Sequence, residues 1–185
     1  MKLKYFFLAI LMSLQCNVVM ADSATLPPIR AVDTVNVKQY LGRWYEIARK
    51  PMFFQRRCVQ DVQANYSLTE QGTLSVENSC TTQDKQRSLA NGEAYILNPP
   101  HNSQLEVSFL PKAIRWLPVG RGDYWVLKRD EQYQTALVGD PERKYLWLLA
   151  RTTHISDTVW QAYLEYAKHI GYDVSDFKPT LQTEH

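Results

Sequence analysis

The stretch Gly42-Arg43-Trp44-Tyr45-Glu46 decides how this chain is read. A glycine two residues before a tryptophan lets the backbone turn sharply into a strand, and the large indole can then plug the end of whatever that strand encloses. The segment just before it, Val37 to Leu41, is short and helix-like. Taken alone the pattern fits an ordinary core tryptophan equally well, so the residues on either side must decide.

Downstream, short segments rich in β-branched and aromatic residues recur between clusters of Gly, Pro, Asn and Asp. They predict strands at 43–50, 58–69, 73–80, 90–97, 103–110, 122–129, 134–139 and 144–151. The runs Glu70-Gln71-Gly72, Asn98-Pro99-Pro100-His101-Asn102 and Gly139-Asp140-Pro141-Glu142 each have the composition of a hairpin turn, so neighbours in sequence become neighbours in space. The expected fold is all-β, an eight-stranded antiparallel up-and-down barrel. Beyond it, Val159, Trp160, Tyr163, Leu164, Ala167 and Ile170 repeat at helical spacing between a capping Ser156 and a terminating Gly171. This predicts one C-terminal α-helix packed outside the barrel. The alternative, a helix lying on a membrane surface, needs a more basic polar face than Gln161, Glu165 and Lys168 offer. Tyr172 to Lys178 is a candidate short ninth strand, and residues 179–185 read as a loose tail.

Upstream, Lys2 and Lys4 precede the uncharged run Tyr5 to Leu14, and Val19-Met20-Ala21 resembles a small-residue cleavage site. The run is too short to span a bilayer, so residues 1–21 read as an export signal and the protein is expected to be exported and periplasmic. Cys16 offers a lesser alternative, acylation as a lipoprotein, because the preceding Ser13-Leu14-Gln15 suits that processing poorly. Residues 22–36, with Pro27-Pro28, read as an extended arm. Loss of the signal removes two lysines and no acids, taking the formal charge from +2 to 0. A neutral chain without a basic run gives no reason to expect nucleic acid as a partner. At 185 residues, 45% hydrophobic and 22% charged, the chain holds one domain, placed at 37–178.

Catalytic patterns are sparse. His101, His154, His169 and His185 are scattered, and neither a Gly-x-Ser-x-Gly elbow nor a Cys-x-x-Cys or His-Glu-x-x-His motif is present. Gly120-Arg121-Gly122 precedes a strand, whereas a phosphate loop opens a helix. No catalytic residue, metal or cofactor is expected.

Around the opening stretch, Tyr40-Leu41-Gly42-Arg43-Trp44-Tyr45-Glu46-Ile47-Ala48-Arg49 resembles the Gly-x-Trp signature region of lipocalins. Ala64-Asn65-Tyr66-Ser67-Leu68, Gly92-Glu93-Ala94, Tyr124-Trp125-Val126-Leu127 and Tyr145-Leu146-Trp147-Leu148-Leu149-Ala150-Arg151 follow in the family's order and spacing. The resemblance covers about residues 37 to 178 and is closest in kind to the bacterial and apolipoprotein D-like group. One departure stands at Glu131-Gln132-Tyr133, where the family usually has Thr-Asp-Tyr.

The resemblance implies an eight-stranded lipocalin barrel holding a small hydrophobic ligand in the bacterial envelope, with membrane maintenance as its purpose. It also implies that Arg151 stacks on Trp44, a contact worth roughly 1 to 2 kcal/mol when desolvated. With Arg151 inward near the closed end, strand alternation turns Leu149, Trp147 and Tyr145 to the same face. The alternation Leu105, Val107, Phe109 puts those three inward, as it does Leu74 and Val76 with Asn78 above them, and Tyr124 with Val126. A fully packed core without a void is the competing reading of the same residues. An apolar interior suits an acyl chain, a fatty acid or lysophospholipid: about twelve methylenes give a gross gain of about 10 kcal/mol and, after immobilisation, about −8 kcal/mol or micromolar binding. Arg56, Arg57, Lys112 and Arg115 are candidate head-group contacts at the rim.

Cys58 and Cys80 remain after cleavage, flanking the second and third strands, and in an oxidising compartment they are expected to form a disulfide; two separate buried thiols are the alternative. Three rival functions stay open. A membrane barrel needs a continuous lipid-facing band, which Lys128-Arg129-Asp130 interrupts. An enzyme on the same scaffold would call for a cavity cysteine, and an interaction module would hold no ligand. Association with the outer membrane and homodimerisation are left open.

Overall fold

Alternation of inward and outward side chains organises residues 42–150 into eight strands that pair in sequence order and close on themselves. The structure, a computed structural model, describes residues 26–183, so the leader read at 1–21 and Cys16 lie outside the described residues. A four-residue helix α1 (Val37–Tyr40) leads into β1 (Gly42–Arg49). Then follow β2 (Cys58–Leu68), β3 (Leu74–Thr82), β4 (Arg87–Ile96), β5 (Gln104–Ser108), β6 (Arg121–Arg129), β7 (Thr135–Gly139) and β8 (Leu146–Ala150). All neighbours are antiparallel, and β1 pairs with both β8 and β2, which closes the eight-stranded up-and-down barrel.

Several boundaries move from their sequence expectations for local reasons. β5 ends at Ser108, not 110, because Pro111 opens a 3-10 turn over Lys112–Ile114. β8 starts at Leu146, not 144, because the Asp140 carboxylate holds Tyr145 in the preceding turn, accepting its N–H at 2.6 Å. β3 and β4 run on as a longer hairpin, closed by the Thr82 N–H donating to the Gln86 carbonyl at 2.9 Å.

Helix α2 (Asp157–His169) packs outside the barrel, as its pattern required. Ser156 caps it by accepting from the Val159 N–H, and Gly171 ends it in a left-handed conformation at φ +87°. Its apolar face, including Tyr163 and Ala167, covers outward-facing Leu127, Leu137, Leu146 and Leu148. Each such side chain contributes roughly 1.5–3 kcal/mol when fully buried. That face is spent on the barrel, which removes the membrane-surface reading of the helix. β7 is consequently buried on both faces.

The C-terminal segment corrects the sequence reading. Tyr172 to Lys178 does not form a strand; a two-residue β9 (Lys178–Pro179) pairs with Arg49 and Ala48 instead. The described part of the tail is not loose. β1 and β2 pair directly only over Gly42–Tyr45, and above that point the tail lies between them. Leu181 bridges Gln60, the Gln182 amide donates to the carbonyls of Glu46 (2.8 Å) and Val62 (2.9 Å), and the Thr183 N–H donates to Asp61 (2.7 Å). The buried Glu46 carboxylate accepts from Thr180 at 2.6 Å, from Gln55 at 3.0 Å and from Arg49. Short-range propensity favours none of this. The tail is ordered by polar groups that β1 and β2 leave unpaired where they splay apart.

The arm read at 22–36 is extended over its described part, its Val32 and Val35 N–H groups donating to the carbonyls of Val126 and His101, both at 2.8 Å. Cys58 and Cys80 form a disulfide, with Cα atoms 5.5 Å apart. Irregular β2–β3 pairing between Cys58 and Gln63 brings them together across a two-residue offset.

Candidate ligand-binding site

The floor of the barrel is built first. Gly42 turns the chain at φ +89°, a conformation costly for any residue with a Cβ, and this sets Trp44 beneath the interior with no exposed surface. The Trp44 Nε1–H donates to the Tyr40 carbonyl at 2.8 Å. Arg151 lies just beyond β8, its guanidinium carbon 3.9 Å from the centre of the Trp44 ring, and it donates to the carbonyls of Gln39 (2.7 Å), Leu41 (2.9 Å) and Tyr133 (3.3 Å). One arginine thus satisfies the C-terminal carbonyls of α1 and covers the indole. The departure at Glu131-Gln132-Tyr133 leaves this intact: the Tyr133 hydroxyl accepts from the Asn36 N–H at 2.8 Å, while Asp130 caps the turn by accepting from Gln132 and Gln134.

Above the floor the interior has two unlike walls. On β2, β3 and β4 the register places Ala64, Asn78 and Ala90 side by side, with Gly92 and Ala94 further along β4 on the same inward face. Small side chains flatten this part of the wall, while Tyr66, Val76 and Leu74 of the same strands also face inward. Opposite, Tyr124 and Val126 of β6 and Trp147 and Leu149 of β8 supply bulk. Rings follow one another from floor to mouth through Trp44, Tyr40, Tyr66, Tyr124, Trp147 and Phe54, with successive centroids 4.9 to 6.5 Å apart.

The structure places Leu74, Val76, Leu105, Val107, Tyr124, Val126, Trp147 and Leu149 in one interior cluster, as alternation implied. Tyr145 and Phe109 differ. Tyr145 precedes β8 and stacks at the mouth against Phe54 and Trp147. Phe109 lies past the end of β5, 45% exposed, with its ring over the inner face of Gly92. Asn78, Val107, Tyr124 and Trp147 face inward yet are only half-buried, and inward-facing Ala90 is exposed. Solvent therefore reaches the mouth end of the interior.

Polar groups inside are few and specific. The Tyr66 hydroxyl donates to Tyr124 at 2.8 Å, and Tyr40 and Tyr124 share a hydrogen bond of 2.9 Å. Burial pushes the Tyr66 phenol up to about 12 and raises those of Tyr40 and Tyr124 further, so all three stay protonated. Three hydroxyl hydrogens serve two links, which leaves one to meet an acceptor from a ligand or a water. On the flat wall the Asn78 Oδ1 is buried without a hydrogen-bond partner. The Trp147 Nε1–H is taken by Gln55 at 3.0 Å, which ties the mouth loop to β8.

Sequence reasoning did not find Tyr40, Tyr66, Phe54 or the flat wall. The spacing of Ala90, Gly92 and Ala94 at every second position was the available signal for the wall. Phe54 sits in a loop, where alternation says nothing.

Among the described residues no His, Cys, Asp and Glu group together as metal ligands. Cys58 and Cys80 are joined in the disulfide, so neither is the free cavity cysteine that an enzyme on this scaffold would call for. Two clefts outside the barrel, of about 100 and 480 Å³, are unsuited to an acyl chain: the first is walled by polar Asp61, Gln63, Thr81 and Arg87, the second is an open groove beside the start of α2.

Comparison with known proteins agrees with this geometry. The profile of the Lipocalin-like domain matches residues 35–182. Temperature-induced lipocalin-1 of Arabidopsis thaliana is 39% identical over 158 residues, covering 84% of each chain. Outer membrane lipoprotein Blc of Escherichia coli K12 is 40% identical over 162 residues, 86% of this chain and 87% of the relative. Apolipoprotein D of Mus musculus is 34% identical over 167 residues, 84% and 80%. Among solved structures, insecticyanin of Manduca sexta superposes with a TM-score of 0.66 at 18% identity over 86% of this chain and 87% of its own, a likeness of fold alone.

Proposed function

The chain belongs to the lipocalin family, and from that premise we propose that it is a binding protein that stores or carries an acyl lipid, a fatty acid or lysophospholipid, within its barrel. The observation that carries the reading is the interior itself: a flat wall of Ala64, Ala90, Gly92 and Ala94 faces Tyr124, Trp147 and Leu149, open at the end bearing Phe109 and shut at the other by Trp44 and Arg151. An alkyl chain suits such a slot, largely apolar apart from Asn78 and the tyrosine hydroxyls and closed below, and gains about 0.8 kcal/mol for each methylene it buries. Its polar end is left at the mouth.

Leu74, Val76, Leu105, Val107, Phe109, Tyr124, Val126, Tyr145, Trp147 and Leu149 are proposed as the ligand's lining. Action without catalysis is part of this proposal. The place of action we infer is the bacterial envelope, on the strength of the similarity to a protein named as an outer membrane lipoprotein. There the protein would take up or deliver single lipids during membrane maintenance.

Native mass spectrometry of freshly purified protein tests the proposal. Retained acyl lipids, or a one-to-one complex after addition of a long-chain fatty acid, are expected. A chain that neither retains nor accepts them is an empty interaction module.

A further inference from the structure

Two loops at the open end differ from the rest of the surface. Residues 50–57, Lys-Pro-Met-Phe-Phe-Gln-Arg-Arg, join β1 to β2, and residues 109–120, Phe-Leu-Pro-Lys-Ala-Ile-Arg-Trp-Leu-Pro-Val-Gly, join β5 to β6; neither contains an acid. Given the strand order, the two stand on opposite sides of the mouth. Each turns one ring over the opening, Phe54 against Trp147 and Phe109 against Gly92. Each also turns apolar groups away from it: Phe53 is 74% exposed, Trp116 71% and Val119 60%. The Trp116 Nε1–H donates to the Ala113 carbonyl at 3.2 Å, so the exposed indole is held in place by its own loop. Beside these rings Arg56, Arg57 and Lys112 are exposed, and among the described residues none has an ion-pair partner, whereas Arg115 leans on Glu93 and Arg121 on Glu106.

Aromatic side chains at the tips of two short, proline-braced loops, interleaved with unpaired cations, match the chemistry of a bilayer interface carrying anionic phospholipid. We propose that these two loops are prongs that dock the barrel, mouth down, on an anionic membrane surface. A protein partner would meet them as a flat apolar patch, but the prongs are separated by the mouth, and a bilayer is the surface that engages both at once without filling the space between. Docking in this pose presents the slot directly to the lipid layer, so a chain passes between membrane and barrel without crossing water. The inference takes the acyl-lipid reading one step further, but the surface itself does not depend on what the barrel holds.

Flotation of the purified protein with vesicles of phosphatidylcholine, with and without phosphatidylglycerol, provides the test. The protein is expected to float with the anionic vesicles and to be released by high salt. The double variant F53S/W116S should lose about tenfold in vesicle binding while binding a soluble short-chain fluorescent fatty acid as before. R56A/R57A/K112A should lose the preference for phosphatidylglycerol. Absence of flotation with either composition, or equal flotation of F53S/W116S, overturns the proposal. Flotation that falls in the variants upholds it even if native mass spectrometry finds no acyl lipid, so the two readings fail separately.

Discussion

The guanidinium of Arg151 covers the Trp44 indole from below at 3.9 Å while its N–H groups take up the last carbonyls of α1. Two chain segments more than a hundred residues apart are joined there, and the barrel is shut at that end. Trp44→Ala removes a fully buried ring and should cost about 3–5 kcal/mol, lowering the melting temperature by about 10 °C or more. Arg151→Lys should lower it too, because one ammonium cannot reach the four separate carbonyls of Gln39, Leu41, Arg43 and Tyr133 and cover the ring. Calorimetry on both variants checks this; an unchanged midpoint in both refutes the structural role.

The unpartnered Asn78 Oδ1 makes the flat wall less apolar than an alkyl chain would favour. Replacement by leucine removes a buried acceptor that costs about 1–3 kcal/mol when left unsatisfied. Asn78→Leu is expected to raise the melting temperature by a few degrees and to tighten fatty-acid binding severalfold, measured by titration calorimetry. A loss of affinity would mean that Asn78 holds a polar group of the natural ligand.

The Cys58–Cys80 bridge closes a loop of 22 residues. In the chain-entropy account such a link contributes about 3 kcal/mol. Cys58→Ser with Cys80→Ser should therefore lower the melting temperature by about 6–12 °C, whereas the intact mass of the unaltered protein should rise on alkylation only after reduction.

Buried Tyr40 and Tyr66, with half-buried Tyr124, predict how stability responds to alkali. The Tyr66 phenol titrates near 10.0 when the chain is unfolded and at about 12 in the barrel, burial being the cause. Its proton is kept by the folded state and lost by the unfolded one over that interval. The stability this confers is complete below pH 10.0 and is lost as the pH rises towards about 12. Tyr40 and Tyr124, raised further, act in the same sense. Melting temperature should fall steeply across this window, and Tyr66→Phe should flatten the fall; a pH-independent midpoint would contradict it.

What local pattern controls was legible in the sequence. Hairpin turns, the period-2 alternation of Leu105 and Val107, and the Ser156-to-Gly171 helix depend on residues close in the chain, and the structure has them where composition put them. The interior parity of Trp147 and Leu149 followed from a single anchor at Arg151. Alternation does not say where a strand ends, and Phe109 and Tyr145 lie just past their strands, at the mouth. It was silent on Tyr40, which enters the interior from a helix, and on Phe54, which enters from a loop. The tail was the clearest miss: Gln182 finds its partner Val62 at a separation of 120 residues, and nothing in its polar neighbourhood announces a strand.

That tail is the seam of the barrel. β1 has one flank completed by β8 and the upper part of the other by Lys178 to Thr183. β8 joins the ring, and the tail fills the gap that remains between β1 and β2, so trimming it would bare the upper flanks of both strands.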